Sequence, residues 1–291
     1  MKNAIERAGS SAFIARKTDY GARMRFKPTI LKLGGSVITY KQKPLTANSS
    51  AIKRLAREIS ESGVTRLILT HGGGSFGHTL AKQYAIKDGY KKDASQVLGY
   101  SKTHQAMVTL NKLVVDALIQ CDVPAVAISP SSCIVTKSGR IHIFEDEPIN
   151  RLLEIGFVPV LYGDAVLDSD LGFTILSGDQ LAASLAIRLQ AERIIMGIDV
   201  AGLYTADPKS DSSAHIIRHC TLQELKTMRQ QIEGAKGTDV TGGMLGKIIE
   251  LTSAVEKGIS ALIINAAKSK NVCKALKGER VVGTLIVKER S

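Results

Sequence analysis

A chain of 291 residues with 44% hydrophobic and 23% charged residues has the composition of a folded globular protein, long enough for one extensive α/β sheet and unlike a disordered segment. The formal net charge of +12 calls for anionic partners, yet aromatics make up only 4% and the basic residues beyond the first stretch are scattered, which argues against a nucleic-acid surface. No apolar run reaches the ~18 residues of a membrane-spanning helix, and Cys121, Cys133, Cys220 and Cys273 form no CxxC pair, so the expectation is a cytoplasmic protein with reduced thiols and neither a zinc site nor a disulfide framework.

Residues 1–27 carry seven Lys or Arg against Glu6 and Asp19 and read as a basic, disordered extension. The stretch resembles a targeting peptide, but Met24, just ahead of the first strand, favours an extension or a misplaced start. From residue 28 onward short β-branched runs alternate with helical patterns, which predicts one α/β domain with helices on both faces of a mainly parallel sheet. The first strand, Thr29 to Leu33, has Lys32 inside an apolar run, where an unpaired ammonium is costly unless it meets an anion. Gly34, Gly35 and Ser36 follow, then Lys41. Ile52, Leu55, Ala56 and Ile59 recur at helical spacing with Ser49 or Ser50 placed as a cap.

The second strand, Arg66 to His71, runs into Gly72-Gly73-Gly74-Ser75-Phe76-Gly77-His78. Two consecutive strands ending in glycines predict a polyphosphate cradle, because ligands of open α/β sheets bind beyond the carboxyl ends of the strands and glycine lets backbone N–H groups approach an anion. Gly72, Gly74 and Gly77 also satisfy GxGxxG. A dinucleotide-dependent oxidoreductase is the competing class, but the acidic residue expected ~20 positions later falls on Asp88 or Asp93, neither at a strand end. A P-loop is absent, since His78 stands where it needs Lys.

Further on, a long helix is predicted from Val97 to Gln120, then strands at Pro124 to Ser129 and Phe157 to Tyr162. Two hairpins are predicted, one turning at Ser138-Gly139 within 134–143 and one joining Ala165–Leu167 to Phe173–Leu176. In Ser177-Gly178-Asp179, spacing favours Asp179 as a helix N-cap, and the sharper reading makes it the holder of catalytic lysines. The strand Arg193 to Ile198 leads into the Gly/Asp/Pro-rich loop Asp199 to Lys209, again on the carboxyl edge. Lys247 follows the glycine-rich stretch 241–246, and strands at Ile259 to Asn265 and Thr284 to Val287 close the chain.

Taken in order, Lys32 to Thr39, His71 to His78, Tyr162-Gly163-Asp164, Ser177 to Asp179, Asp199 to Lys209 and Asp239 to Met244 resemble the amino acid kinase family, and within it the branch of isopentenyl phosphate kinases. The resemblance runs from about Ile30 to Val287 and implies a three-layer αβα sandwich, with an acceptor lobe over about 28–178 and an ATP lobe over about 179–291. It implies ATP and Mg2+ as cofactors, a homodimer, and a cytoplasmic kinase of the alternative mevalonate pathway that phosphorylates isopentenyl phosphate. ATP is then expected along Asp199, Tyr204, Thr205, Ala206, Asp207, Pro208, Lys209, Gly243 and Lys247, with its phosphates near Lys32, Gly34, Gly35, Ser36 and Gly74. Gly73, His78 and Gly163 are expected on the acceptor phosphate. Lys32, Lys41 and Lys247 are expected on the transferring group, with Asp179 positioning lysines and no residue-built metal cage. Tyr40 stands where the family pattern has Asp. His78 narrows the acceptor, although fosfomycin kinases look similar at this point and form the alternative within the family.

Overall fold

The computed structural model describes residues 27–206, 211, 213–234 and 244–289, so the basic segment before Lys27 lies outside the described residues. The first part of the chain builds β1 (Thr29–Leu33), α1 (Gly35–Ile38), α2 (Ser49–Ser62), β2 (Leu67–His71), α3 (Gly74–Gln83), α4 (Ala94–Ile119) and β3 (Ala125–Ala127). Next come β4 (Ile134–Lys137), β5 (Arg140–Phe144), α5 (Glu147–Ile155), β6 (Val158–Tyr162), β7 (Asp164–Asp168) and β8 (Gly172–Leu176). The rest supplies α6 (Gly178–Arg188), β9 (Arg193–Ile198), β10 (Leu203–Tyr204), β11 (Ile216–Ile217), β12 (His219–Thr221), α7 (Leu222–Gly234), α8 (Met244–Glu256), β13 (Ser260–Asn265), α9 (Asn271–Lys277) and β14 (Gly283–Val287).

Eight strands form one sheet in the order β12-β14-β13-β9-β1-β2-β6-β3, parallel at each pairing except β13 with β14. The central strands are buried along their whole length, as parallel strands covered on both faces must be. Alternation then sorts side chains between two cores. Leu31 and Leu33 pack with Leu67, Leu69 and the apolar sides of α2, α4 and α9. Ile30 and Ile68 pack with α5, α6, α7 and α8. Because successive side chains of a strand point to opposite faces, Lys32 falls on the same side as Ile30, the side of α6 and α8. That placement fixes its possible partners. A second sheet, β5-β4-β7-β8, and the ribbon β10-β11 complete the described fold.

The three-layer expectation holds, and the predicted bounds of β1 and β9 coincide with the observed ones. Caps differ. The α2 cap is Asn48, whose side chain accepts the Ala51 N–H at 3.2 Å, while the Ser50 hydroxyl donates to the same Asn48 oxygen at 2.8 Å, so the serine orients the cap rather than serving as it. The long helix begins at Ala94, earlier than Val97, because the Asp93 carboxylate accepts the Ser95 N–H at 2.8 Å.

Candidate active site

The strands around β1 end in register. Leu33 pairs with His71 of β2 and Gly197 of β9, and His71 pairs with Tyr162 of β6. One residue further, Gly34 donates its N–H to Gly197 O at 2.7 Å, Gly72 to Leu33 O at 2.9 Å, and Gly163 to His71 O at 2.9 Å. Gly34, Gly72 and Gly163 thus form a row at the carboxyl edge, where chain reversals leave a floor of bare backbone. The two glycine turns also touch each other. A Cβ on Gly35 would fall on the Gly74 backbone nitrogen and 3.2 Å from the Gly73 carbonyl carbon, and Gly74 has φ +48°, a left-handed conformation that favours glycine. At Gly74 begins α3, in whose first turn Ser75 donates its N–H to the Thr39 hydroxyl at 3.1 Å and Phe76 to Gly73 O at 3.0 Å.

Beneath this floor three ionic side chains meet. Lys32 Nζ lies 2.7 Å from Asp179 Oδ1, and Lys247 Nζ lies 3.3 Å from Asp179 Oδ2. The Lys32 side chain is only 5% exposed, so the pair is an interior one. Burial lowers the Lys32 pKa against the pull of Asp179, and the nearby Lys247 lowers it further. Burial alone would raise the Asp179 carboxyl, but Lys32 and Lys247 outweigh it and hold the pKa below the usual carboxylate value. The helix cap is Ser177, whose hydroxyl oxygen accepts the Gln180 N–H at 3.0 Å. The N-cap reading of Asp179 is therefore corrected: two residues past the cap, its carboxylate joins β1 to α8.

Lys41 stands apart from this cluster. Its exposed Nζ pairs with Asp199 Oδ2 at 2.9 Å, tying the segment after α1 to the residue that follows β9. Partial burial works against ionisation of Asp199, but Lys41 and a hydrogen bond from Ser36 keep its pKa below the usual carboxylate value. The same loop continues through Ala206, with Tyr204 on the β10–β11 ribbon and Thr205 donating its N–H to His215 O at 3.1 Å. Asp207, Pro208, Lys209 and Gly243 lie outside the described residues.

His78 lies one turn into α3 with its ring on the exposed side. Partial burial lowers its pKa, and the charges of Lys247 and Lys32 lower it further. Gly73 backs onto α4, where Met107 Sδ would lie 2.9 Å from an added Cβ. Lys32, Asp179 and Lys247 thus form one ionic cluster, with the touching glycine turns at the carboxyl edge of the sheet and His78 one turn into α3, whereas Lys41 and Asp199 form a second pair.

Sequence reasoning missed several partners. His71 is fully buried beneath the glycine turn, stacked on Tyr162 with ring centroids 5.6 Å apart and with Nε2 3.1 Å from Asn111 Oδ1. Burial pushes its pKa down to about 4. His104 of α4 pairs through Nδ1 with both oxygens of buried Asp164, at 3.1 and 3.0 Å, beside the expected acceptor residue Gly163. Both pairs join residues distant in sequence, so no local pattern announces them.

The depressed His71 value carries a pH consequence. Between the ordinary value of 6.5 and the folded value of about 4, the unfolded chain binds a proton that the native chain does not. The stabilisation is complete above about 6.5 and is lost as pH falls toward 4. Denaturant midpoints measured from pH 7.5 to 4.5 should fall through this window, and His71→Gln should flatten that slope.

A sequence profile of the amino acid kinase family matches residues 27–265, from β1 through β13. The isopentenyl phosphate kinase of Methanothermobacter thermautotrophicus is 42% identical over 264 residues, covering 88% of this chain and 98% of that protein. Its counterpart in Methanocaldococcus jannaschii is 36% identical over 267 residues, covering 89% and 98%. Among solved structures, an isopentenyl phosphate kinase superposes with a TM-score of 0.78 at 40% identity, covering 89% of this chain and 99% of that one. Another, in a substrate complex, gives 0.72 at 29%, covering 90% and 100%. The glycine row, the lysine pair gathered on one carboxylate and the loop after β9 all lie in a chain that belongs to the amino acid kinase family.

Proposed function

We propose that this protein transfers the terminal phosphoryl group of ATP to isopentenyl phosphate, yielding isopentenyl diphosphate and ADP for isoprenoid biosynthesis by the alternative mevalonate route. The observation that carries the reading is the convergence of Lys32 and Lys247 on Asp179 beside two touching glycine turns, with His78 one turn into the helix that the second turn opens. Phosphoryl transfer needs alignment and charge neutralisation more than covalent help. A phosphate acceptor is already ionised and needs no carboxylate base; it needs cations that offset the repulsion between two anions. Lys32 and Lys247 supply that charge, and Asp179 keeps both pointed at one spot. Backbone donors of the glycine turns hold the phosphates.

In this reading His78 donates a hydrogen bond to the acceptor phosphate, residues before about 178 bind the acceptor, and those after it bind ATP. Among the described residues no group of three or more His, Cys, Asp or Glu side chains converges as a metal site, and Asp179 and Asp199 are both engaged by lysines. Mg2+ in this reading would be held by the nucleotide phosphates, as it commonly is, and would supply further charge neutralisation there. In this reading the working form is a cytoplasmic homodimer; among the described residues no helix is long and apolar enough to cross a membrane.

The test is ATP-dependent turnover of isopentenyl phosphate, dimethylallyl phosphate and fosfomycin side by side. Isopentenyl phosphate should be the best acceptor, and ATP-dependent use of another acceptor with none of isopentenyl phosphate overturns the assignment. His78→Ala should raise the KM for the acceptor about 10- to 100-fold, the worth of one hydrogen bond to a charged group, with ATP binding by calorimetry unchanged. Unaltered acceptor kinetics would remove His78 from the site.

A further inference from the structure

The hairpin β4–β5 belongs to the second sheet, yet it grips both helices that carry the ionic cluster. From α6, the side chain of Gln180, next to Asp179, accepts the Ile141 N–H at 3.0 Å and donates to Gly139 O at 3.1 Å. From α8, Glu250 receives a bidentate fork from Arg140, at 2.6 Å to Oε1 and 2.8 Å to Oε2. Glu250 is nearly buried, with an 11% exposed side chain, and lies three residues from Lys247, hence on the neighbouring position of the same helix side. Gly139, Arg140 and Ile141 are consecutive, so one short stretch of backbone spans both attachments.

That stretch is itself fixed. Ser138 and Gly139 form a two-residue turn with φ +48° and +77°. The buried Asp168 carboxylate accepts the N–H groups of Ser138 at 3.1 Å and Gly139 at 2.8 Å, the Thr136 hydroxyl at 2.7 Å, and the N–H groups of Asp170 and Leu171. Burial would raise its pKa, but these donors bring it down to about 2, so the anchor stays ionised throughout the neutral range.

We infer that Arg140 is a positioning residue: with Asp168 and Gln180 it makes the β4–β5 turn a rigid bracket that sets Lys247 of α8 against Asp179 of α6. This rests on the site reading above. No part of the bracket touches the acceptor in that reading, so its loss should alter turnover and leave acceptor binding alone. A shift of about 1 Å at a phosphoryl-transfer centre is worth up to about 100-fold in rate.

The experiment is a kinetic double-mutant cycle with ATP and isopentenyl phosphate. Arg140→Ala should lower kcat about 10- to 100-fold with the acceptor KM unchanged, and Arg140→Lys, which keeps the charge and loses the fork, should recover part of the loss. Asp168→Asn, which leaves Arg140 and Glu250 in place, should show the same split. In a Lys247→Ala background Arg140→Ala should lower kcat by no more than about twofold, since the residue it positions is gone. Additive losses, or a wild-type kcat for Arg140→Ala, overturn the proposal. If Lys247→Ala alone turns over like wild type, the site reading fails and the bracket with it. Should Arg140→Ala not fold, the pair Arg140→Met with Glu250→Met removes both charges and must show the same kcat loss.

Discussion

Asp179→Ala is expected to lose nearly all turnover and about 3–5 kcal/mol of stability, the range seen when one partner of a buried ion pair is removed. The reason lies in what remains. Lys32 is almost wholly enclosed, and Asp179 is the largest influence opposing the desolvation of its ammonium group. Without the carboxylate, Lys32 loses its principal counter-charge while the charge of Lys247 stays nearby. Lys32 then shifts toward the neutral amine unless an anion arrives to replace the carboxylate. The sign of the pH dependence follows. A lysine whose folded pKa is depressed costs most when pH is below that value, and the cost is relieved as pH rises toward the ordinary pKa of about 10.4. The stability deficit of Asp179→Ala relative to wild type should therefore shrink between pH 7 and 9.5 in urea titrations. A constant deficit would mean that lost packing, not a stranded charge, is responsible. Inorganic phosphate should also raise the midpoint of the variant more than that of wild type, since it binds only the folded form and replaces the missing negative charge.

The same cluster shows what a sequence can and cannot reveal. Lys32 was legible because a charged residue interrupts an apolar strand, and period-2 alternation assigns it a face. Its partner was named only as the sharper alternative and through the family resemblance. Asp179 lies far along the chain in a Ser-Gly-Asp pattern whose spacing favours an N-cap, and the structure shows Ser177 capping the helix and Asp179 facing β1. Strand bounds were read well at β1 and β9, where β-branched runs meet glycine or aspartate, and less well at β3, where the paired segment is confined to Ala125–Ala127. The pairs Arg140–Glu250, His104–Asp164 and His71–Asn111 join separate elements. No local periodicity encodes them, because each depends on how two elements pack.

The glycine turns yield the second large effect, and here the cause is space rather than backbone freedom. Gly35 is not among the residues with positive φ, so alanine suits its own conformation. The obstacle is across the turn. An added Cβ would coincide with backbone of Gly74 and press on Gly73, atoms that cannot rotate aside as a side-chain end would. Gly35→Ala must therefore push the turn after β1 away from the turn after β2. Overpacking of this kind costs about 1–3 kcal/mol. The functional loss should be larger, about 100-fold in kcat, because the displaced backbone lies between the proposed ATP and acceptor phosphates. Gly74→Ala adds strain at φ +48° and a collision with the Thr39 hydroxyl and the Gly35 carbonyl, the same contact approached from the other side. The two substitutions should then be non-additive: once the turns have been forced apart by one methyl group, the second finds room, and the double variant should lose much less than the product of the single losses. Kinetics and denaturation of the four species measure this directly. Independent, fully additive losses would show that the turns act separately and that their contact does not align the phosphates.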